Sequence, residues 1–145
     1  MNAFRPRDML LVLGALVVLA GQAQGHGAFA MGRNPIETAT GGVAVGAAVN
    51  ATSIKAAAAT ALQKCRTEPS SPAETKALCK LVTTFRHQWL SIAIDPAPRA
   101  PGFGWSIDPN RAAAERNALN QCKVSSIDER QRYCVIGVSK HDVSP

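Results

Sequence analysis

Two stretches of this chain are near copies of one another: residues 53–65 and residues 110–122, each alanine-rich and each ending in a cysteine. Laid together, Ala56, Ala57, Ala61, Leu62 and Cys65 meet Ala113, Ala114, Ala118, Leu119 and Cys122. Ile54, Ala57, Ala58, Ala61, Leu62 and Cys65 recur at helical spacing, as do Ala114, Ala118, Leu119 and Cys122, so each stretch predicts a helix with one apolar stripe. Alanine has the best helix propensity, and small side chains on the stripe let a helix axis lie close to a sheet. A second feature keeps the same register. Ser71, Glu74 and Cys79 map onto Ser126, Glu129 and Cys134 at one constant spacing. Both Ser-x-x-Glu segments have the form of a capping box and are expected to open a short helical turn.

The surroundings of the two helices repeat as well. In the first half, apolar residues 28–31 and 42–49 flank a loop with turn chemistry; in the second, residues 90–94 and 103–107 flank the proline-rich loop 95–102. Both pairs read as β-hairpins. Phe103 and Trp105 alternate with Gly104 and therefore share one side of the sheet, as core rather than as a sugar-stacking platform. Asp108 with Pro109 suits a helix start, and Asn50 or Thr52 suits the other. Each half closes with a strand from its second cysteine, residues 79–85 and 134–140. The unit is strand, strand, helix, strand, used twice over residues 27–86 and 88–141. The fold class is α+β, an antiparallel sheet with two packed helices and pseudo-twofold internal symmetry.

Residues 1–25 have the basic, apolar and small-residue regions of a secretory signal peptide, with Arg5 and Arg7 ahead of the apolar run 9–20. Cleavage is expected before His26, with Ala23 as the alternative last leader residue. The apolar run is too short to span a bilayer comfortably, so no membrane span is expected after cleavage. A single domain over residues 26–145 remains. The four cysteines all lie in it, and an even count in a small exported domain implies two disulfides. Helix end and strand start are neighbours within a unit, which selects Cys65–Cys79 and Cys122–Cys134. The chain is expected in the periplasm or outside the cell.

At this point the sequence resembles the DUF4189 family of small exported bacterial proteins. The resemblance rests on Gly27-Ala28-Phe29-Ala30, the glycine-rich residues 41–46, the helix from Ala57 to Cys65 and the strand from Cys79 to Phe85, with all of these echoed in the second half. It covers nearly the whole mature chain and implies the fold and export. Family members often carry a further cysteine after the strand that closes the first half. Trp89 occupies that place here, so a third disulfide lacks its cysteine. The family supplies no catalytic residue to carry over. Some exported proteins of this kind are associated with immunity to bacterial cell-envelope toxins.

The net charge of +6 falls by one without the leader and is spread without any run of three basic residues. That field favours an anionic cell-wall polymer, an anionic lipid surface or an acidic protein, and argues against nucleic acid. Serine-nucleophile, phosphate-loop and cysteine–histidine patterns are absent from the sequence, and Asp108, Glu74 and Glu129 read as helix-terminus groups. Glu115 with Arg111 reads as an exposed i, i+4 pair. A catalytic site, a cofactor and a metal site are therefore not expected. One metal arrangement is conceivable, with His26 at a new N-terminus joined by His87 or His141. The candidate binding surface consists of Arg99 in the stiff proline loop, Arg33, and His87 and Trp89 in the segment joining the halves. Trp89 is expected either to fill the interface between the halves, which its strand-like neighbours favour, or to stand exposed as an anchor. The expected function is an exported, non-catalytic binding protein, such as an inhibitor or immunity protein for a cell-envelope-targeting toxin. The alternatives are a module binding a polymer such as peptidoglycan and a small enzyme of unfamiliar type.

Overall fold

The computed structural model describes residues 25–33, 42–97 and 100–143. Apart from Gly25, the expected leader lies outside them. In chain order the elements are β1 (His26–Arg33), β2 (Val43–Ala51), α1 (Ile54–Arg66), α2 (Ala73–Ala77), β3 (Lys80–Phe85), β4 (Trp89–Ile94), β5 (Phe103–Asp108), α3 (Arg111–Ser125), a 3₁₀ segment (Asp128–Tyr133) and β6 (Val135–His141).

Each half builds its own three-stranded antiparallel sheet, β2-β1-β3 and β5-β4-β6. The duplication holds down to the register. Ala30 pairs with Gly46 on one side and Leu81 on the other; Ala93 pairs with Gly104 and Ile136 in the same way. The register slips at the same place in both, between Phe29 and Ala30 against β3 and between Ile92 and Ala93 against β6. One extra residue, Val82 or Gly137, bulges there and twists the closing strand.

Alternation along the strands sends the two faces of each sheet to different neighbours. Phe29, Ala47 and Phe85 of the first sheet meet Leu90, Ile92 and Phe103 of the second in one buried cluster. The rings of Phe29 and Trp105 are 5.1 Å apart across it, so Phe103 and Trp105 share the inward side as the alternation requires. Fully burying Phe29 and Leu90 contributes on the order of 2–3 kcal/mol each. The outer faces carry small residues instead. Ala28, Ala30, Ala44 and Ala48 pack against Ala57, Ala61 and Cys65 of α1, and Ala93 packs against Ala118 and Cys122 of α3. The layers run helix, sheet, sheet, helix. Cys65–Cys79 and Cys122–Cys134 are the two disulfides, each with Cα atoms 6.0 Å apart. Each ties a helix end to the start of its closing strand and stabilises the fold by about 3 kcal/mol through loop closure.

The helix starts differ from the sequence expectation in which residue caps them. Ser53 caps α1, accepting from the Ala56 N–H at 3.1 Å, and Asn110 caps α3, accepting from the Ala113 N–H at 3.0 Å. Asp108 is still in strand register with Trp89, so it cannot leave the sheet to begin a helix; it accepts from the Asn110 N–H at 2.7 Å instead. Asn50 is likewise still part of β2. The short turns form, but Ser71 and Ser126 do not cap them: Pro72 precedes α2, Ile127 precedes the 3₁₀ segment, and neither start has a side-chain cap. The Ser71 hydroxyl is drawn to the Val43 carbonyl, 2.9 Å away.

Helix and sheet come closest at Gly46 and Gly104. A Cβ on Gly46 would collide with the Ala61 carbonyl oxygen and the Cys65 amide, and one on Gly104 with the same atoms of Ala118 and Cys122. Gly46→Ala and Gly104→Ala are each expected to cost about 2–3 kcal/mol by forcing the helix off its sheet. Gly137→Ala, where the nearest atoms are Ile94 side-chain carbons at 3.3 Å, is expected to cost little by comparison. Denaturant unfolding of the three variants with disulfides intact measures the difference.

Candidate functional site

One end of the sandwich is organised by a single carboxylate. Asp142, just beyond β6, has no solvent exposure. Its two oxygens accept the backbone N–H of Asn50 at 2.8 Å and that of His87 at 3.3 Å. Its own N–H donates to the Gln88 carbonyl, and the next N–H, of Val143, donates to the Asn50 side-chain oxygen at 2.8 Å. Asn50 and His87 are the two non-glycine residues with positive φ among those described, at 57° and 53°. Asparagine tolerates that left-handed backbone and histidine does so less readily. Such conformations persist where the surroundings over-determine them, and here both amides converge on one anion. Asp142 thereby joins the first sheet, the segment between the halves and the end of the second sheet.

Beside this knot lies an aromatic and cationic cluster. Trp89 opens β4 on the face opposite Leu90, so it stands toward α3 and does not fill the interface between the sheets. It is half-buried. The His141 ring stacks on it at 4.5 Å with planes 13° apart, the cross-strand neighbour that the register dictates. The Arg111 guanidinium sits 5.1 Å from its ring centroid and donates to Glu115 at 2.7 Å. The expected i, i+4 pair therefore also fixes a cation over an aromatic face. The same contact with Arg111 holds the Glu115 carboxyl below its ordinary range, against a smaller opposing effect of burial.

The other end of β4 carries a cleft of about 490 Å³ between the two halves. Val43, Val45, Ile94, Pro96 and Phe103 supply apolar wall, and Glu68 and Asp95 supply carboxylates. Asp95 is bound twice by Arg130, at 2.5 and 2.7 Å. That guanidinium holds the Asp95 carboxyl below its ordinary value, outweighing burial, and an N–H from Ala97 adds to the effect. Glu68 accepts from the Ser70 hydroxyl at 2.7 Å and its N–H at 3.2 Å, and shares the Ser71 proton with the Val43 carbonyl. Burial pushes the Glu68 carboxyl up, yet these hydrogen bonds together hold it below its ordinary value.

Of the three sequence-read surface candidates among the described residues, two come together. His87 and Trp89 share the Asp142 end. Arg33 closes β1 at the cleft end, paired with Val43, with its Nε buried and lacking a hydrogen-bond partner among the described residues. Arg99 lies outside the described residues. His26 opens β1 with its Nδ1 buried, and among the described residues no group of three or more His, Cys, Asp or Glu side chains gathers as a metal would require. Asp142, the Asp95–Arg130 pair and Glu68 were not singled out as functional candidates. Asp95 and Arg130 stand where the first copy has Gly32 and Thr75, which also meet closely, but that proximity is visible only in the fold.

Residues 26–140 match the family described as a domain of unknown function, DUF4189. The chain belongs to that family, as its cysteine-terminated helices implied. No curated protein and no solved structure matches it. Among the described residues, no helix is long and apolar enough to cross a membrane.

Two measurements check the electrostatics of these ends. Asp142→Ala leaves two converging N–H groups without their anion and is expected to cost about 3 kcal/mol in denaturant unfolding. Adding His87→Gly, which relieves the left-handed backbone, is expected to recover about 1 kcal/mol of that loss. The second concerns pH. Because the Asp95 pKa is depressed on folding, its contribution is fully present above the ordinary value of 3.8 and is lost as pH falls through the depressed value. Melting curves of the wild type and Asp95→Asn are therefore expected to differ near neutral pH and to converge in acid.

Proposed function

We propose that this chain is an exported binding protein that acts by recognising a protein partner, most concretely as an inhibitor or immunity protein for a cell-envelope-targeting toxin. The observation that carries this reading is the Trp89–His141–Arg111 stack. It is an aromatic flanked by a guanidinium and an imidazole, half-exposed, at the ends of β4 and β6 that Asp142 ties to the first sheet. Tryptophan and arginine held in one geometry lose little freedom on binding, which is the property of interface hot spots. Export is supported by the leader pattern and by two disulfides, which persist in oxidising compartments.

Two further features favour recognition over catalysis. The cleft's carboxylates are both held ionised, one by an arginine and one by serine donors. A general acid for hydrolysis needs the opposite, a carboxyl raised toward neutrality. The buried Asp142 is engaged by backbone amides of the fold itself.

The test is co-expression with toxins encoded beside the gene, followed by calorimetry with the purified pair. The double variant His141→Ala, Arg111→Ala removes both groups stacked on Trp89 and leaves the Asp142 contacts in place. It is expected to lose protection and at least tenfold in affinity, while its unfolding midpoint moves by less than about 5 °C. Absence of protection by the wild type, together with salt-sensitive co-sedimentation with peptidoglycan, would replace this reading with the cell-wall one.

A further inference from the structure

The cleft between the halves has a chemistry of its own, separate from the Trp89 end. Its volume of about 490 Å³ falls in the range of small-molecule sites, about 300–1,000 Å³, which are mostly apolar with a few placed polar groups. The walls fit that description: Val43 and Val45 from β2, Ile94 from β4, Pro96 and Phe103 from the second hairpin. The charge in it is unequal. Asp95 is neutralised by Arg130. Glu68 belongs to neither of the ion pairs found among the described residues, Arg111–Glu115 and Arg130–Asp95. Its carboxylate is instead fixed in place by Ser70 and Ser71.

We infer that this cleft binds a small organic monocation, an ammonium or guanidinium group on an apolar body, with Glu68 as its counter-ion and Val43, Val45, Ile94 and Phe103 around its body. The alternatives fail on elementary grounds. An anion would face a carboxylate that has no ion-pair partner among the described residues. A neutral apolar ligand would strip water from that carboxylate without replacing it, at a cost of several kcal/mol. A metal ion would need more than one unengaged carboxylate, and the described residues gather no such group. A cation with an apolar tail answers both the charge and the wall. The serine donors keep Glu68 ionised, so the site is charged without any proton being lost on binding.

The experiment titrates the oxidised protein with n-hexylamine, n-hexanol and hexanoate at neutral pH, following backbone amide shifts. Hexylamine is expected to give saturable shifts at Val43, Val45, Ile94 and Phe103. Hexanol and hexanoate are expected to bind at least tenfold more weakly. Glu68→Gln is expected to lower hexylamine affinity at least tenfold and to leave hexanol unchanged. A second variant, Ala97→Phe, places bulk at the cleft wall without touching Glu68 and is expected to abolish hexylamine binding. The inference is overturned if hexylamine shifts none of those residues, if both variants bind it as the wild type does, or if hexanoate binds as well. It is also overturned if a lysine-containing peptide binds where hexylamine does not. None of these results bears on partner recognition at the Trp89 end.

Discussion

Everything in this fold rests on how closely two helices lie on two sheets. At Gly46 and Gly104 the strand backbone meets the helix backbone with no room for a Cβ. That approach puts the alanine stripes of both helices into contact with the alanines of the outer sheet faces. Alanine buries little area, so such a layer gains its dispersion energy from proximity rather than from bulk. Proximity also sets the cysteines. The residue facing Gly46 is the one before a turn of helix that ends at Cys65, and the same holds for Gly104 and Cys122. Each disulfide then holds its helix down at the end where the stripe stops. The large side chains are reserved for the other face, where the two sheets meet around Phe29, Leu90 and Phe103.

The two copies agree wherever that packing dictates and differ where it does not. Their strand pairing, the bulges in their closing strands and the glycines under their helices, Gly46 and Gly104, correspond. At one position they diverge in a coupled way: Gly32 lies against the Thr75 backbone, while its counterpart Asp95 is bound by Arg130. A small residue against backbone has become an ion pair, filling the same space with charge instead of contact. The joins between copies also have no counterpart. Asp142 closes the second copy onto the first, and the equivalent place in the first copy, His87, donates to it. The symmetric parts are scaffold, and both candidate sites lie at its asymmetric ends.

The repeat made the scaffold legible. It gave the element order, the shared face of Phe103 and Trp105 and the disulfide pairing, because all of these follow from periodicity and register. It did not make the caps legible. Asp108 looks like a cap from its neighbour Pro109, but a strand pairing with Trp89 holds it, and pairing partners cannot be read from local sequence. Ser71 has the sequence of a capping box but turns its hydroxyl to the Val43 carbonyl and the Glu68 carboxylate instead. Trp89 has strand-like neighbours that point to the interface between the halves; one step of strand alternation puts it on the opposite face. Asp142 had no local signal at all. Its partners lie far away in sequence, and only the closed structure brings them together.

The two ends differ in how they hold charge. At the Trp89 end, a guanidinium and an imidazole are stacked on an aromatic and left partly in solvent. At the cleft end the carboxylates are fixed, one by a partly exposed arginine and one by hydroxyls. Hydroxyls stabilise an anion without cancelling it, whereas a guanidinium does cancel it. That difference makes Glu68, and not Asp95, the counter-ion in the proposed cation site. A net charge of +6 therefore describes the chain poorly. What each end selects depends on which local charges are already paired, and the pairing is set by the positions at which the second copy departs from the first.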